Sequence, residues 1–155
     1  AFSNGVIVFN ETLDIVNNTD LSEIFLALTR WDIVAGKQKL QKRFFANASS
    51  QDVWIFKSPI KLSNHLDFVM GHHGCDNRLA RIMLDNGYDV RNPGRQIETL
   101  HLQISDCRNA PHSKEVPGPY LFLEPNDDIN KACQKMEFDG FFDGKPYKTR
   151  SNSLE

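Results

Sequence analysis

The chain has 155 residues, of which 40% are hydrophobic and 25% charged, and a net charge of −2. These values are typical of one globular domain. The slightly acidic balance argues against nucleic acid or an anionic membrane as the main partner, because both require a cationic surface, and no apolar run approaches the ~20 residues of a membrane span.

Short strands are predicted through the first half of the chain. A β-branched run over 6–9 predicts a strand, followed by a weak helical turn. "EIFLALTRWDIV" predicts a buried strand because it is rich in aromatic and β-branched residues. The polar and basic residues 35–51 indicate a loop or a hairpin, and "DVWIF" predicts a third strand that Pro59 prevents from continuing.

The stretch "FVMGHHGCDNRLARIMLDNGYDV", residues 68–90, predicts a strand, a Gly-rich turn and a helix. Asp76 is predicted to cap the N-terminus of this helix, and Asn86-Gly87 to end it with a left-handed residue. Three apolar residues repeat at helical spacing: Leu79, Ile82 and Met83. This helix is the best-defined element in the sequence.

After the helix, "YDVRNP" predicts a short strand and turn, and "IETLHLQI" alternates with the period of a strand. Residues 109–153 are predicted to be irregular, with a short helix at "INKACQKM", and to pack on the sheet. We expect one domain over 1–153, and a vector-derived scar at 154–155. The predicted fold class is α/β or α+β, with a mixed sheet and one well-defined helix.

The cysteines and sequons bear on the compartment. Three cysteines without a CxxC pair leave at least one free thiol, which favours a soluble, cytoplasmic protein. Three N-x-S/T sequons, at Asn10, Asn17 and Asn47, leave a secretory lumen as the other option.

Asp76 is the candidate catalytic group. A helix N-terminus stabilises an ionised carboxylate, which is the state that a general base needs. A strand-to-helix turn also places it at the edge of a sheet where open α/β folds bind ligands. Asp at such a position is common for stability alone, so capping without catalysis is the other interpretation.

The turn before the helix carries His72 and His73. Adjacent residues in extended chain point to opposite sides, so we expect at most one of them to face a site. Cys75 has no convincing His/Asn partner pattern for a nucleophile, and a packed thiol is the simpler interpretation. His101 lies on a predicted strand, where a half-buried histidine satisfied by a neighbour is the alternative to a ligand.

Two acid–aromatic pairs lie at predicted strand ends, Trp31-Asp32 and Asp52 with Trp54. Aromatic rings beside carboxylates suit sugars, because sugar C–H faces stack on rings while hydroxyls bond to acids. Both tryptophans are equally interpretable as core residues.

The run "GHHGCDNRLARIMLDNGYDVRNP", followed by "IETLHL", resembles the acceptor-side half of GT-A-fold glycosyltransferases. That family has a Gly-rich turn, an acidic pair that opens a helix, and a later strand that carries a histidine. The opening "FSNGVIVF" is similar to the family's strand ending in the DxD metal motif. The resemblance extends to about residue 108 and implies a partial GT-A-like architecture.

The resemblance also implies roles for individual residues. Asp76 would be the base that deprotonates the acceptor hydroxyl in an inverting transfer. His101 would help to hold Mn²⁺ or Mg²⁺ on a nucleotide sugar, because the diphosphate leaving group develops charge that must be neutralised. Arg78 would assist at an acceptor or phosphate oxygen. The DxD acids are missing, since residues 3–6 read "SNGV".

The family's nucleotide-binding half is also missing, so the resemblance implies a piece of a longer enzyme or a degenerate relative. Activity of this chain alone is therefore not expected. Two alternatives stay open. One is a non-catalytic carbohydrate or small-ligand binding module that uses Trp31, Trp54, Asp52 and the 71–76 turn with His72 and His73. The other is a small interaction protein that forms a homodimer through an unpaired sheet edge.

Overall fold

The computed structural model describes residues 1–3, 6–36, 39–63, 66–102 and 114–149. Its strands are β1 Phe2–Ser3, β2 Ile7–Phe9, β3 Ile24–Leu28, β4 Trp31–Ala35, β5 Leu40–Phe44, β6 Val53–Phe56, β7 Asp89–Arg91, β8 Thr99–His101, β9 Tyr120–Leu123, β10 Lys135–Phe138, β11 Gly140–Phe142 and β12 Lys145–Tyr147. The helices are a 3₁₀ helix, Glu11–Asn18, and the α-helix α1, Cys75–Asp85. No helix in these ranges is long and apolar enough to cross a membrane.

The strands form two four-stranded sheets and two hairpins. The first sheet has the order β1-β6-β3-β7 and the second β2-β8-β4-β5. Each sheet is mixed, since β3 is parallel to β7 and β4 is parallel to β8 while the other pairs are antiparallel. The predicted α/β or α+β class with a mixed sheet is therefore confirmed.

The first sheet is buried on both faces. Side chains that alternate along its strands enter two separate cores. The core under α1 and β9 contains Phe25, Ala27, Trp54, Leu79, Met83, Val90, Leu121 and Leu123. The core on the 3₁₀-helix side contains Leu26, Leu28, Val53, Ile55, Ile97 and Ile129. Burial on both faces explains why the β3 sequence is a continuous apolar run rather than an alternating one.

The predicted single strand "EIFLALTRWDIV" divides in two. It leaves the first sheet after Leu28 and enters the second at Trp31. Asn92 holds this junction, because its Oδ1 accepts from the Thr29 N–H at 3.0 Å and its Nδ2 donates to Thr29 Oγ1 at 2.8 Å. Of the two alternatives expected for 35–51, a loop or a hairpin, the structure has a hairpin, since β4 pairs with β5.

The predicted helix is confirmed, with Leu79, Ile82 and Met83 buried and Gly87 at a φ of +86°. The predicted N-cap is wrong. Gly74, at a φ of +81°, occupies that position, and Asp76 lies inside the first helical turn. Because Gly74 adopts a left-handed conformation, the helix begins at Cys75, one residue before Asp76. The carboxylate of Asp76 instead accepts a hydrogen bond from the Gln51 N–H.

The predicted irregular segment is wrong for much of its length. Residues 114–149 contain the hairpins β9–β10 and β11–β12. "INKACQKM" forms a turn that leads into β10 and not a helix. Its packing on the sheet is observed, because Leu121, Leu123 and Cys133 belong to the core under α1. The predicted scar at 154–155 lies outside the described residues.

Candidate functional site

A pocket of about 460 Å³ lies at the start of α1. We call it the polar pocket. Its lining residues are Arg30, Ser49–Asp52, Trp54, Gly71–Asn77, Phe122, Phe141, Gly144 and Pro146. They come from the junction between the sheets, the loop before β6, the Gly-rich turn and the two C-terminal hairpins. Four of the predicted ligand-binding residues lie here, namely His72, His73, Asp52 and Trp54.

The Gly-rich turn shapes one wall of this pocket. Gly71 and Gly74 both have a positive φ, of +94° and +81°. A Cβ on Gly74 would come within 2.9 Å of the Tyr120 ring, so the close approach of the turn to β9 requires glycine. Because the chain curls here rather than running extended, both His72 and His73 line the pocket, against the expectation that at most one would do so.

Asp76 lines the polar pocket from the first turn of α1. Its Oδ2 accepts from the backbone N–H of Gln51 at 3.0 Å, and its Oδ1 accepts from that of Asn77 at 3.0 Å. Asn77 also donates from Nδ2 to Gln51 Oε1 at 3.1 Å. These bonds fix the position of the carboxyl group between α1 and the loop before β6.

Burial raises the pKa of Asp76 to about 6, because few water molecules reach the ionised carboxylate. The backbone N–H groups of Gln51 and Asn77 lower it, and the negative charge of Asp52 raises it further. The side chain is surrounded mostly by protein atoms yet stays partly exposed at the pocket. A group with this pKa is mainly ionised at pH 7 and still basic enough to take a proton.

Arg30 is the cation of the pocket, and the sequence prediction missed it. Its Nη1 donates to Asp52 Oδ2 at 3.0 Å and its Nε to Asp32 Oδ1 at 2.8 Å. Its guanidinium also lies 4.3 Å from the centre of the Phe45 ring. Burial lowers the pKa of Arg30, but the two carboxylates outweigh burial and hold it above its ordinary value. The one available signal was a charged residue inside an apolar run.

Aromatic rings form the remaining walls. Phe141 lies against His73, with ring centres 4.7 Å apart, and against Tyr120, at 4.9 Å. The buried Trp54 also lines the pocket, and its Nε1–H has no hydrogen-bond partner among the described residues. Phe141 was missed as well, since nothing in its local sequence connects it to a turn about 70 residues earlier.

Three of the predicted site residues lie outside the polar pocket. Trp31 is in the second sheet, where its Nε1 donates to Gly94 O at 2.8 Å and its ring packs on Phe44. Arg78 donates from Nη1 to Pro119 O at 3.2 Å. His101 is buried in β8, with Nδ1 3.5 Å from Asp32 Oδ1. These contacts give each residue a structural role away from the pocket.

The described residues around His101 do not match the metal site that the family resemblance implies. Asp32 is its carboxylate neighbour, but Asp32 already pairs with Arg30 at 2.8 Å. Across the described ranges, no group of three or more His, Cys, Asp and Glu residues is placed to hold a metal ion. Asn4 and Gly5, in the position of the DxD motif, lie outside those ranges.

Cys75 lies in the wall of the pocket as a packed thiol. It is 7% exposed, and its Sγ accepts from the Gly71 N–H at 3.3 Å. Burial raises the pKa of this thiol above its ordinary value, so the reactive thiolate is scarce at neutral pH. A nucleophilic role for Cys75 has no support in this geometry.

Compared with models of protein families, with curated proteins and with solved structures, the chain has no significant match in any of the three comparisons.

Proposed function

We propose that the chain is a glycosyltransferase-like domain, the acceptor-binding part of an inverting nucleotide-sugar-dependent transferase or a degenerate relative, with Asp76 as its base. The observation that carries this proposal is a carboxyl group with a pKa of about 6 that is partly exposed at a polar pocket. Carboxylates, an arginine–aspartate pair, histidines and aromatic rings in one pocket suit a ligand with several hydroxyl groups.

In the proposed reaction an acceptor hydroxyl enters the polar pocket and donates its proton to Asp76. The acceptor oxygen then bonds to the anomeric carbon of the donor sugar while the bond to the diphosphate breaks. The N–H groups of Gln51 and Asn77 hold the carboxyl group in place during proton transfer. His72 and the Arg30–Asp52 pair line the same pocket and would bond other hydroxyls of the acceptor.

A metal ion on the diphosphate would neutralise the leaving group in enzymes that this sequence resembles. The described residues do not supply a group of three His, Cys, Asp or Glu ligands for such an ion. The proposed role of this chain is therefore limited to binding the acceptor and removing its proton.

A thermal-shift screen tests the proposal. The chain is heated with mono- and oligosaccharides, nucleoside diphosphates and nucleotide sugars, each with and without Mn²⁺. A ligand at about 100 times its Kd stabilises the fold by ~2.7 kcal/mol, which raises Tm by about 5 °C or more in a domain of this size. We expect a shift with sugars that bear free hydroxyls. If no sugar or nucleotide sugar shifts Tm, the proposal is wrong.

Two variants test whether Asp76 takes part in the binding that the Tm shift reports. D76N removes the negative charge and the proton-accepting group. We expect it to weaken binding of any acceptor that the screen identifies, and to abolish transfer wherever the unchanged chain supports it. D127N is the matched control, because Asp127 is exposed and does not line the polar pocket. Acceptor binding by D76N that equals that of the unchanged chain and of D127N, or unchanged transfer, would contradict the assignment of the base.

A non-catalytic carbohydrate or small-ligand binding module is the second candidate. The observation that favours it is that both oxygens of Asp76 already accept backbone N–H groups, as in a structural carboxylate. In that case D76N would still bind the sugar found in the screen, and no nucleotide sugar would be consumed.

A homodimer is the third candidate. Among the described strands, β2 lies at one edge of the second sheet. Val6 and Val8, which are 49% and 44% exposed, leave apolar surface along it. Light scattering over a tenfold concentration range distinguishes the dimer from the monomer. A mass that stays at 17.7 kDa excludes it.

A further inference from the structure

A second cavity, of about 370 Å³, lies between the first sheet, α1 and residues of 60–63 and 66–70. We call it the apolar cavity. All of the described side chains that line it are hydrophobic, and they include Phe25, Phe56, Phe68, Met70 and Leu79. A cavity of this size with an apolar lining gives no hydrogen bonds to a polar ligand, but it buries the surface of a hydrocarbon or an aromatic group.

The apolar cavity and the polar pocket adjoin. Trp54 lines both of them, and the chain passes directly from the apolar cavity at Met70 to the polar pocket at Gly71. α1 does the same, because Leu79 faces the first and Asp76 the second. A single ligand that reached both would meet polar groups at one end and apolar groups at the other.

The apolar cavity is open to solvent at its rim. Phe2 and Leu66 line it and are each 46% exposed. Keeping aromatic and aliphatic side chains in water costs free energy that a bound apolar group would recover. The rim also gives a ligand an entry that does not require the core to unfold.

We propose that the acceptor is amphipathic, a hydroxyl-bearing head group joined to a hydrocarbon or aromatic aglycone that occupies the apolar cavity. This inference rests on the proposed function for the head group, which would lie at Asp76. The adjoining cavity extends the site to a glycolipid-like or aryl-glycoside-like class of acceptor. The charges near the head group orient the ligand, since no charged side chain in the described part of the chain lines the apolar cavity.

Binding of a series of n-alkyl β-D-glucosides, from methyl to octyl and kept below their micelle concentrations, tests the inference by calorimetry. We expect affinity to rise about fourfold for each added methylene until the cavity is filled, since each buried methylene contributes ~0.8 kcal/mol. Equal affinity across the series, or no binding of the octyl glucoside, would overturn the inference.

Variants separate this inference from the proposed function. L66S removes part of the apolar rim. We expect it to lower the affinity for octyl glucoside several-fold and to leave the affinity for methyl glucoside unchanged. V69S is its control, because Val69 is 62% exposed and does not line the cavity. D76N should lower the affinity for every glucoside of the series by the same factor. If D76N has no effect while chain length and L66S do, the role of Asp76 fails and the apolar cavity stands. If L66S and V69S behave alike, the apolar cavity fails.

Discussion

At the scale of single residues, Asp76 couples proton binding to folding. Its pKa is about 6 in the folded chain, against an ordinary value of 3.8. The folded state therefore holds a proton that the unfolded state has lost between these two pH values. The stability from this proton is complete below pH 3.8 and disappears as pH rises through about 6.

We expect the free energy of unfolding to rise by about 1 kcal/mol from pH 7 to pH 5 because of Asp76. Carboxyls with lowered pKa values, such as Asp89, lose their contribution only below this window. Urea denaturation at the two pH values measures the change. D76N should lack that increment, and an equal pH dependence in both proteins would contradict the raised pKa.

Arg30 is the second residue whose substitution is informative. It stands between two carboxylates whose side chains are 16% and 9% exposed, and its own is 10% exposed. Removing the cation leaves Asp32 and Asp52 partly buried without this charge partner. We expect R30M to lower the free energy of unfolding by about 3 kcal/mol, as measured by urea denaturation.

R43M is the matched control for R30M. Arg43 also approaches Asp32, at 4.0 Å, but its side chain is 70% exposed. A solvated pair of this kind contributes less than about 1 kcal/mol. If the two variants lose the same stability, the buried network around Arg30 does not have the importance that its geometry indicates.

At the scale of elements, the Gly-rich turn determines where α1 begins and how closely it approaches β9. Gly74 has a positive φ, and a Cβ attached to it would lie only 2.9 Å from the Tyr120 ring. We expect G74A to cost about 2–4 kcal/mol, from the left-handed backbone and the steric clash together. Thermal or urea unfolding measures the loss.

G87A separates the two causes. Gly87 has a φ of +86° at the other end of α1, and no atom of the described residues beyond its chain neighbours lies within 4 Å of an added Cβ. This variant should therefore lose only the backbone contribution, about 1–2 kcal/mol. A loss at Gly74 no larger than at Gly87 would mean that Tyr120 moves aside without cost.

Elements with a strong local pattern were predictable from the sequence. Helix α1 follows from the spacing of Leu79, Ile82 and Met83 and from the Asn86-Gly87 end, and β6 from its apolar run. The start of α1 was not predictable. It is determined by Gly74, whose left-handed conformation and close approach to Tyr120 on a distant strand have no local sequence pattern. The hairpin β11–β12 was also missed, although "DG" at its turn is a hairpin signal.

At the scale of the whole molecule, the polar pocket is assembled from segments that are far apart in sequence. Asp52, Trp54, His72 and His73 were predicted from the sequence as binding residues, and all four line the pocket. Their convergence with Phe141 depends on long-range packing, which local patterns do not encode. Trp31 lies outside the pocket for the same reason, because it belongs to the second sheet, where its indole N–H donates to Gly94 O.

The hairpin β11–β12 has a further consequence. It supplies Phe141, Gly144 and Pro146 to the polar pocket, but Phe142 beside them is 79% exposed, and within the described ranges the hairpin pairs with neither four-stranded sheet. Opening of this hairpin would dismantle one wall while both sheets stay folded. Affinity for any ligand of the pocket then includes the fraction of time that the hairpin is closed.

Hydrogen–deuterium exchange makes this visible. With octyl β-D-glucoside bound, we expect amides of 138–147 to exchange more slowly, while those of β3 and β6 keep the rate of the free protein. F141A should open the hairpin, speed this exchange and weaken binding without lowering the stability of the sheets. Slowing that is uniform across the chain would instead mean that the hairpin opens only with global unfolding. If the slowing is confined to 138–147, the β11–β12 hairpin controls how much of the pocket is occupied by ligand, in proportion to the time that the hairpin spends closed.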